Sequence, residues 1–348
     1  MRDLKRLLLA LLRRTGFSRL VAASPWRRRR LLVLCYHGIS LDDEHRWDGG
    51  LFMEPALFKQ RLEWIRAFNS TVLPLAEALD RLAKGTLPER AVAITFDDGL
   101  LGVQRFAWPL LREFGWPMTL YLTTYYCSFN RPVFDPAVAY LLWKSRLPVL
   151  DWPGVLHGLV ELNQEGRASA TRRIKAHALQ KGYSGQRKDE LLSELAERLD
   201  VDLAEIRRRR IMHLVNPEEA RALSAEGVDI QLHTHVHRVF RKRERFLAEI
   251  ERNRREIAAI TGREASHFCY PGGAWLPEFP GWLSECGVRS ATTCQNGMCT
   301  SGTPALILPR LVDTSTLTKE EFDGWLGGVA SWLPRRAMPM AEGQILDE

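Results

Sequence analysis

The sequence predicts an α/β protein whose parallel sheet curls into a closed or partly closed barrel. Short, wholly apolar runs such as residues 31–36 and 92–96 recur along the chain, and such runs suit strands buried on both faces. Segments of helical apolar spacing lie between them, so that about seven strand-then-helix units follow one another. A third observation agrees: clusters rich in Asp and His fall where strands end, which is where parallel barrels gather their functional groups.

In chain order, residues 31–36 (LLVLCY) form the first strand and 41–53 a loop. Residues 55–68 form a helix with Pro55 in its first turn. Val72 and Leu73 make a short strand, and residues 75–84 a helix that Gly85 ends. Residues 92–96 are the next strand and run into Asp97-Asp98-Gly99; a helix over 108–114 and a strand over 118–123 follow. The alternation then breaks. Residues 127–215 contain Pro132, Pro136, Pro148 and Pro153, with helix-forming stretches at 188–199 and 203–210, and read as an inserted, largely helical excursion. Its run Arg207 to Arg210 reads as a solvated helix face. The alternation resumes with a helix over 217–226 that Asn216 caps and a strand over 228–232 that leads into His233. A long helix spans 246–261, strands occupy 268–270 and 290–293 with a helix at 279–286 between them, and the last strand and helix fall at 306–312 and 319–326.

The 348 residues are 45% hydrophobic and 26% charged, enough apolar mass for a folded core. The charge of +7 is unevenly placed: residues 1–30 hold ten Lys/Arg against one Asp, which leaves −2 for the rest. A near-neutral body argues against a nucleic-acid-binding surface. The chain thus divides into a basic segment, 1–30, and a body, 31–348, that carries the insertion. Six cysteines without a CxxC pair, in a chain that needs no disulfides at this size, read as reduced thiols. The apolar run 7–12 is stopped by Arg13-Arg14, short of the about 7–15 residues of a secretory signal core, and no run reaches the roughly 18 of a membrane span. Residues 3–14 place Leu4, Leu7, Leu8, Leu11 and Leu12 on one helical stripe with Lys5, Arg6 and Arg13 off it. Such a basic amphipathic helix either lies on an anionic membrane surface or packs on the body. The expected location is cytoplasmic, with peripheral contact at the inner face of the membrane.

Four clusters sit at strand ends. Asp97 and Asp98 follow a buried strand, and neighbouring side chains of an extended chain point apart, so one can hold a metal while the other faces a substrate. His233, His235 and His237 alternate after another strand, and imidazole is the commonest neutral metal ligand; His233 can pair with His237 if the chain curls, or with His235 as an HxH pair. With one Asp, either choice gives two nitrogens and an oxygen, a site with room for water. A Tyr270-Pro271-Gly272-Gly273 turn follows residues 268–269, and backbone N–H groups of such a turn can hold an oxyanion. His37 ends the first strand.

Together these motifs resemble the polysaccharide deacetylase family, the NodB-homology or carbohydrate esterase family 4 group, in their order from Tyr36-His37 to Leu308-Pro309-Arg310, with core motifs over 91–313. The resemblance implies a distorted (β/α)7 barrel, here with a helical insertion, and a divalent metal, zinc first, with cobalt, manganese or nickel as alternatives. It implies Asp98, His233 and His237 as ligands, Asp97 as catalytic base, and Tyr270, Pro271 and Gly272 as the turn that lends backbone to the oxyanion hole. The implied reaction is hydrolysis of an N-acetyl amide on an amino sugar, with an N-acetylated glycan or lipid-linked sugar as substrate and no nucleic acid. Two departures stand out. Cys269 occupies the place where the family often has an Arg that orients the base, and Arg310 the place of its general-acid His. Because Arg stays charged, the expectation here is His37 as proton donor and Arg310 as partner of Asp97. Two rivals remain: a family member that binds glycan without catalysis, and an amidohydrolase-type barrel that uses His233 and His235. Trp143, Trp152 and Trp275 are candidates to stack on sugar rings, with a core role as the ordinary alternative.

Overall fold

The computed structural model describes residues 2–333 and 345–347. Eight strands build its main sheet: β1 (Leu32–Tyr36), β2 (Thr71–Val72), β3 (Ala91–Phe96), β4 (Thr119–Leu122), β5 (Asp229–Leu232), β6 (His267–Cys269), β7 (Ser290–Thr292) and β8 (Leu311–Val312). Seven run in the order β7-β6-β5-β4-β3-β1-β8, β2 pairs with the start of β3, and every pairing is parallel. β1 and β3 are buried at every position, which is why their sequences are continuously apolar rather than alternating. The helices between strands cover the outer face, for example Pro55–Ala67, Leu75–Lys84 closed by left-handed Gly85, and Pro217–Ala225 opened by an Asn216–Glu219 capping box.

The 306–312 run is not one strand. Leu308 bridges to Thr292 of β7, and Leu311 and Val312 pair with β1. Pro309 separates the two pairings because it has no N–H to give to a ladder. The sheet therefore curls until this one segment links its two ends, with Arg310 at the seam.

The insertion lies between β4 and β5 and is helical as expected: Thr124–Phe129, Phe134–Lys144, Gln164–Gln180, Gly185–Leu199 and Leu203–Arg208, with a small antiparallel pair Val149–Leu150 and Val160–Glu161. It buries its own apolar cluster around Leu141, Trp152, Ile174 and Leu195. The arginine run keeps Arg208 and Arg209 exposed, as a solvated face does, and each of its side chains also has a partner. Arg207 donates to Ser193, Arg208 pairs with Glu205, Arg209 with Asp42 and Arg210 with Glu219, so the last two tie the insertion to the body.

The basic segment is folded onto the barrel as α1 (Arg2–Arg14), α2 (Phe17–Ala23) and α3 (Pro25–Arg28). Among the described α1 side chains Leu9 buries and Leu12 packs beside it, while Leu7, Leu8 and Leu11 of the expected stripe point outward. The side chain of Leu4 lies outside the described residues. The 41–53 loop contains a short helix, Glu44–Trp47, and a parallel pair, Gly38–Ile39 with Phe52–Met53. All six cysteines are free thiols.

Candidate metal centre and active site

Strand register assembles the site. Tyr36 pairs with Phe96, Leu122 with Leu232, and Phe268 with Leu232. The residues just past these pairs, His37, Asp97, Thr123, His233 and Cys269, therefore crowd one end of the barrel. Past β3 the chain turns sharply: Asp98 takes φ 69° and Gly99 φ 94°. The left-handed turn is strained for Asp and swings its carboxylate away from that of Asp97. Past β5, Thr234 and His237 take φ 60° and 58°, and this curl returns His237 to face His233.

The Nε2 atoms of both imidazoles converge on one oxygen, Asp98 Oδ1, at 3.2 Å for His233 and 3.0 Å for His237. His233 Nδ1–H donates to the Cys269 carbonyl at 2.8 Å. That bond orients the ring and leaves Nε2 as the atom turned to Asp98, the arrangement of a metal-ligating histidine with its outer partner. Two imidazole nitrogens and a carboxylate oxygen, all within 4.8 Å of one another, form a donor set that fits a divalent cation and leaves room for further ligands. His235 belongs to no such group among the described residues: its Nδ1 bonds Thr124 Oγ1 at 2.9 Å, and burial pushes it down to about 4. Of the two pairings left open by the spacing, the structure brings His233 and His237 together.

Two residues unremarked in the sequence hold the loop. Asn253, fully buried on the helix Arg243–Thr261, accepts the His233 N–H at 2.8 Å and donates to the Leu122 carbonyl and Thr124 Oγ1 at 3.0 Å each. Glu249, one turn earlier, accepts the N–H groups of His235 and Val236 at 3.1 Å. The available signal was a polar pair four residues apart on a helix that directly follows the His cluster.

Asp97 faces the other way, into the seam. Arg310 grips it with two parallel bonds, Nη1 to Oδ1 and Nη2 to Oδ2, both 2.7 Å. The guanidinium also donates to the Thr293 carbonyl, Thr95 Oγ1 and Cys269 Sγ. Burial by itself raises the Asp97 carboxyl; the Arg310 charge outweighs it and holds the group well below the usual carboxylate range. The thiols of Cys269 and Cys35 donate to Asp97 Oδ2 at 3.3 and 3.5 Å, contacts that nothing in the sequence announced. His37 Nε2 stands 3.7 Å from Asp97 Oδ2 with part of its side chain exposed.

The Tyr270 ring is in the core, its hydroxyl donates to the Leu306 carbonyl and its N–H to the Thr292 carbonyl, and its own carbonyl accepts from Gly273, so Tyr270 shapes the turn and offers the site no donor. The turn Pro271–Gly273 follows with Gly272 at φ 57°. Gly273 has no substitute there, because a Cβ would stand 2.7 Å from Cys294 Cβ. Trp152 is buried in the insertion, and Trp143 and Trp275 pack partly buried against the two cores, so all three have structural contacts.

The fold and its strand-end site define a class: a curled parallel α/β barrel with a carboxylate–imidazole centre beside an ion-paired aspartate. Comparison with known proteins narrows it. Residues 173–291, which include His233, His237 and Cys269, match the family model described as polysaccharide deacetylase. A poly-beta-1,6-N-acetyl-D-glucosamine N-deacetylase of Escherichia coli K12 is 26% identical over 99 residues, 28% of this chain and 14% of that protein. One from Staphylococcus epidermidis is 34% identical over 67 residues, 19% of this chain and 23% of that protein. The matched stretches thus span only a minor share of those relatives' length. Among solved structures, the Streptococcus pyogenes deacetylase PplD in complex with acetate aligns with TM-score 0.56 at 14% identity, covering 88% of this chain and 99% of that one. IcaB from Ammonifex degensii aligns at 0.53 and 17%, covering 86% and 97%. Over residues 173–291 the chain matches the polysaccharide deacetylase family, and its fold is the NodB-type barrel.

Proposed function

We propose that this protein is a metal-dependent N-deacetylase that hydrolyses the acetamide of an N-acetylated amino-sugar polymer. The observation that carries the reading is the convergence of Asp98, His233 and His237 beside a buried, Arg310-paired Asp97. The names of the sequence relatives, poly-beta-1,6-N-acetyl-D-glucosamine N-deacetylases, support a β-linked N-acetylglucosamine chain as the first substrate to try, ahead of a lipid-linked sugar.

Asp98, His233 and His237 would hold the cation, with zinc the first choice for two imidazoles and one carboxylate. When bound, the cation supplies Lewis-acid polarisation of the amide carbonyl and acidifies water. Asp97, kept ionised by Arg310, accepts the proton of the attacking water. Arg310 fixes the plane of that carboxylate through two bonds and cannot itself transfer a proton. The Gly272 N–H is the backbone donor the turn offers to the developing oxyanion, since Pro271 has none and Gly273 gives its own to the Tyr270 carbonyl. His37, 3.7 Å from Asp97 Oδ2, gives a proton to the departing sugar amine.

The test is acetate release from N-acetylglucosamine oligomers, with and without a chelator and with added zinc, cobalt, manganese or nickel. Chelator-sensitive release restored by metal is expected. Glycan binding without release in every metal would replace this reading with that of a non-catalytic glycan-binding protein.

A further inference from the structure

Eleven large apolar side chains are exposed among the described residues, and six of them gather on one small part of the molecule. Leu7, Leu8 and Leu11 lie on α1, Phe17 and Leu20 on α2, and Trp332 packs on Phe17 and Trp26. Leu7 and Leu20 are 68% and 71% exposed. Scattered exposed leucines need no explanation, but a cluster marks a surface that meets something.

Among the described residues the body does not cover this face, because α1 packs on the body through its other side. Leu9 is buried against the helix Lys319–Gly327, where a Cβ on Gly324 would come within 2.9 Å of it. Arg6 pairs with Glu321, and Arg13 with Glu320 and Asp323. Farther along, Arg27 is fully buried and donates to the carbonyls of Leu326, Arg30 and Ala91, which pins α3 to the barrel. The apolar face is therefore held outward by a folded support.

Its charge says what it meets. The 1–30 segment carries a net +9. Arg14, Arg19 and Arg29 are exposed and have no carboxylate partner among the described residues. A symmetric pairing of two copies through this face would set two such segments together at a repulsive cost. A surface of anionic headgroups over an apolar layer satisfies both the leucines and the arginines.

We infer that α1, α2 and Trp332 form a docking face for an anionic lipid bilayer, with Leu7, Leu11 and Leu20 entering the headgroup–acyl boundary and Arg14, Arg19 and Arg29 meeting lipid phosphates. Arg27 touches Ala91 at the first residue of β3, whereas Asp97 follows its last. Docking through the α2–α3 end therefore leaves the Asp97 end of the barrel, about 20 Å along the strand direction, free for a glycan.

The experiment is co-sedimentation of the full chain with phosphatidylglycerol–phosphatidylcholine vesicles and with pure phosphatidylcholine vesicles, across a salt series. Binding to the anionic vesicles that falls with salt, and much weaker binding to the neutral ones, is expected. The triple change Leu7→Ser, Leu11→Ser, Leu20→Ser weakens binding on the order of a hundredfold. Arg14→Ser, Arg19→Ser and Arg29→Ser weaken it roughly fivefold each. All four variants keep the wild-type melting temperature, since every altered side chain is exposed. Failure of the wild type to bind anionic vesicles, or undiminished binding by the leucine variant, overturns the inference. So does a dimer in sedimentation that the leucine variant abolishes while vesicles capture nothing; that result assigns the face to a second copy of the chain.

Discussion

Asp97 and Asp98 leave the same strand one after the other and enter opposite surroundings. Asp97 is sealed in the barrel seam, and its charge is met within the chain by Arg310. Asp98 touches no guanidinium or ammonium among the described residues; its close partners are two imidazoles that turn their Nε2 atoms to it. A buried carboxylate needs a counter-charge. At Asp97 it is built into the fold. At Asp98 the neighbouring groups are two imidazoles, the nitrogen donors that a cation would share with this carboxylate. One pair of carboxylates thus enters two different settings, an ion pair with Arg310 and a cluster with two imidazoles, through backbone geometry alone.

Substitution at each aspartate tests that contrast most severely. Asp97→Asn is expected to keep its metal and lose activity by about a hundredfold to ten-thousandfold, whereas Asp98→Asn and His233→Ala lose the metal itself. Metal content of the purified variants, read beside acetate release, separates the two effects. Equal metal loss in all three would break the contrast.

The built-in counter-charge has a stability signature. Arg310→Ala strands a buried carboxylate and is expected to cost about 3–5 kcal/mol, measured by denaturant unfolding at neutral pH. The pH dependence has a definite sign. The Asp97 carboxyl lies below its unfolded value in the fold, so its contribution is fully present above roughly pH 4 and fades as pH falls toward the depressed folded value. The difference between wild type and Arg310→Ala should shrink as pH drops through that window. A difference that stays constant down to strongly acidic pH would mean Arg310 stabilises by packing and not by pairing with Asp97.

Much of this was legible in the sequence, and for a physical reason. Asp97, Asp98, His233 and His237 each follow a continuous apolar run, so a strand and the group at its end can be read together without knowing the fold. The pairing of Arg310 with Asp97 was readable from the two motif departures. What stayed hidden depends on three-dimensional packing. A helical wheel finds the leucine stripe on α1 but cannot tell that the body takes Leu9 and leaves Leu7 and Leu11 outside. The thiols of Cys35 and Cys269 meet Asp97 only because β1 and β6 flank it across the curled sheet. Asn253 lies twenty residues from His233, and an Asn inside a helix carries no signature of the strand end it supports.

A smaller effect sharpens the Asp97 side. His37→Gln is expected to slow turnover by about a hundredfold and to remove one limb of the pH–rate profile, while metal content and KM stay near wild type. Unchanged turnover and an unchanged profile would dismiss His37 as proton donor and leave it a neighbour of Asp97.

The smallest effect sharpens the Asp98 side. Asn253 touches neither the ligand atoms nor any group proposed to meet substrate; it holds the His233 N–H, the Leu122 carbonyl and Thr124 Oγ1 together. If the value of the centre lies in preorganised imidazoles, then Asn253→Ala should weaken metal affinity by about 10–100-fold and leave the activity of the metal-saturated enzyme largely intact. A chelator-competition titration reads the affinity, and turnover at saturating metal reads the rest. Asn253→Asp separates positioning from bulk: it keeps the acceptor for His233 N–H and loses the two donations, so it should recover part of the affinity. Loss of affinity equal to that of Asn253→Ala would locate the effect in the Leu122 and Thr124 contacts, which tie β4 to the His loop, and not in the bond to His233 itself.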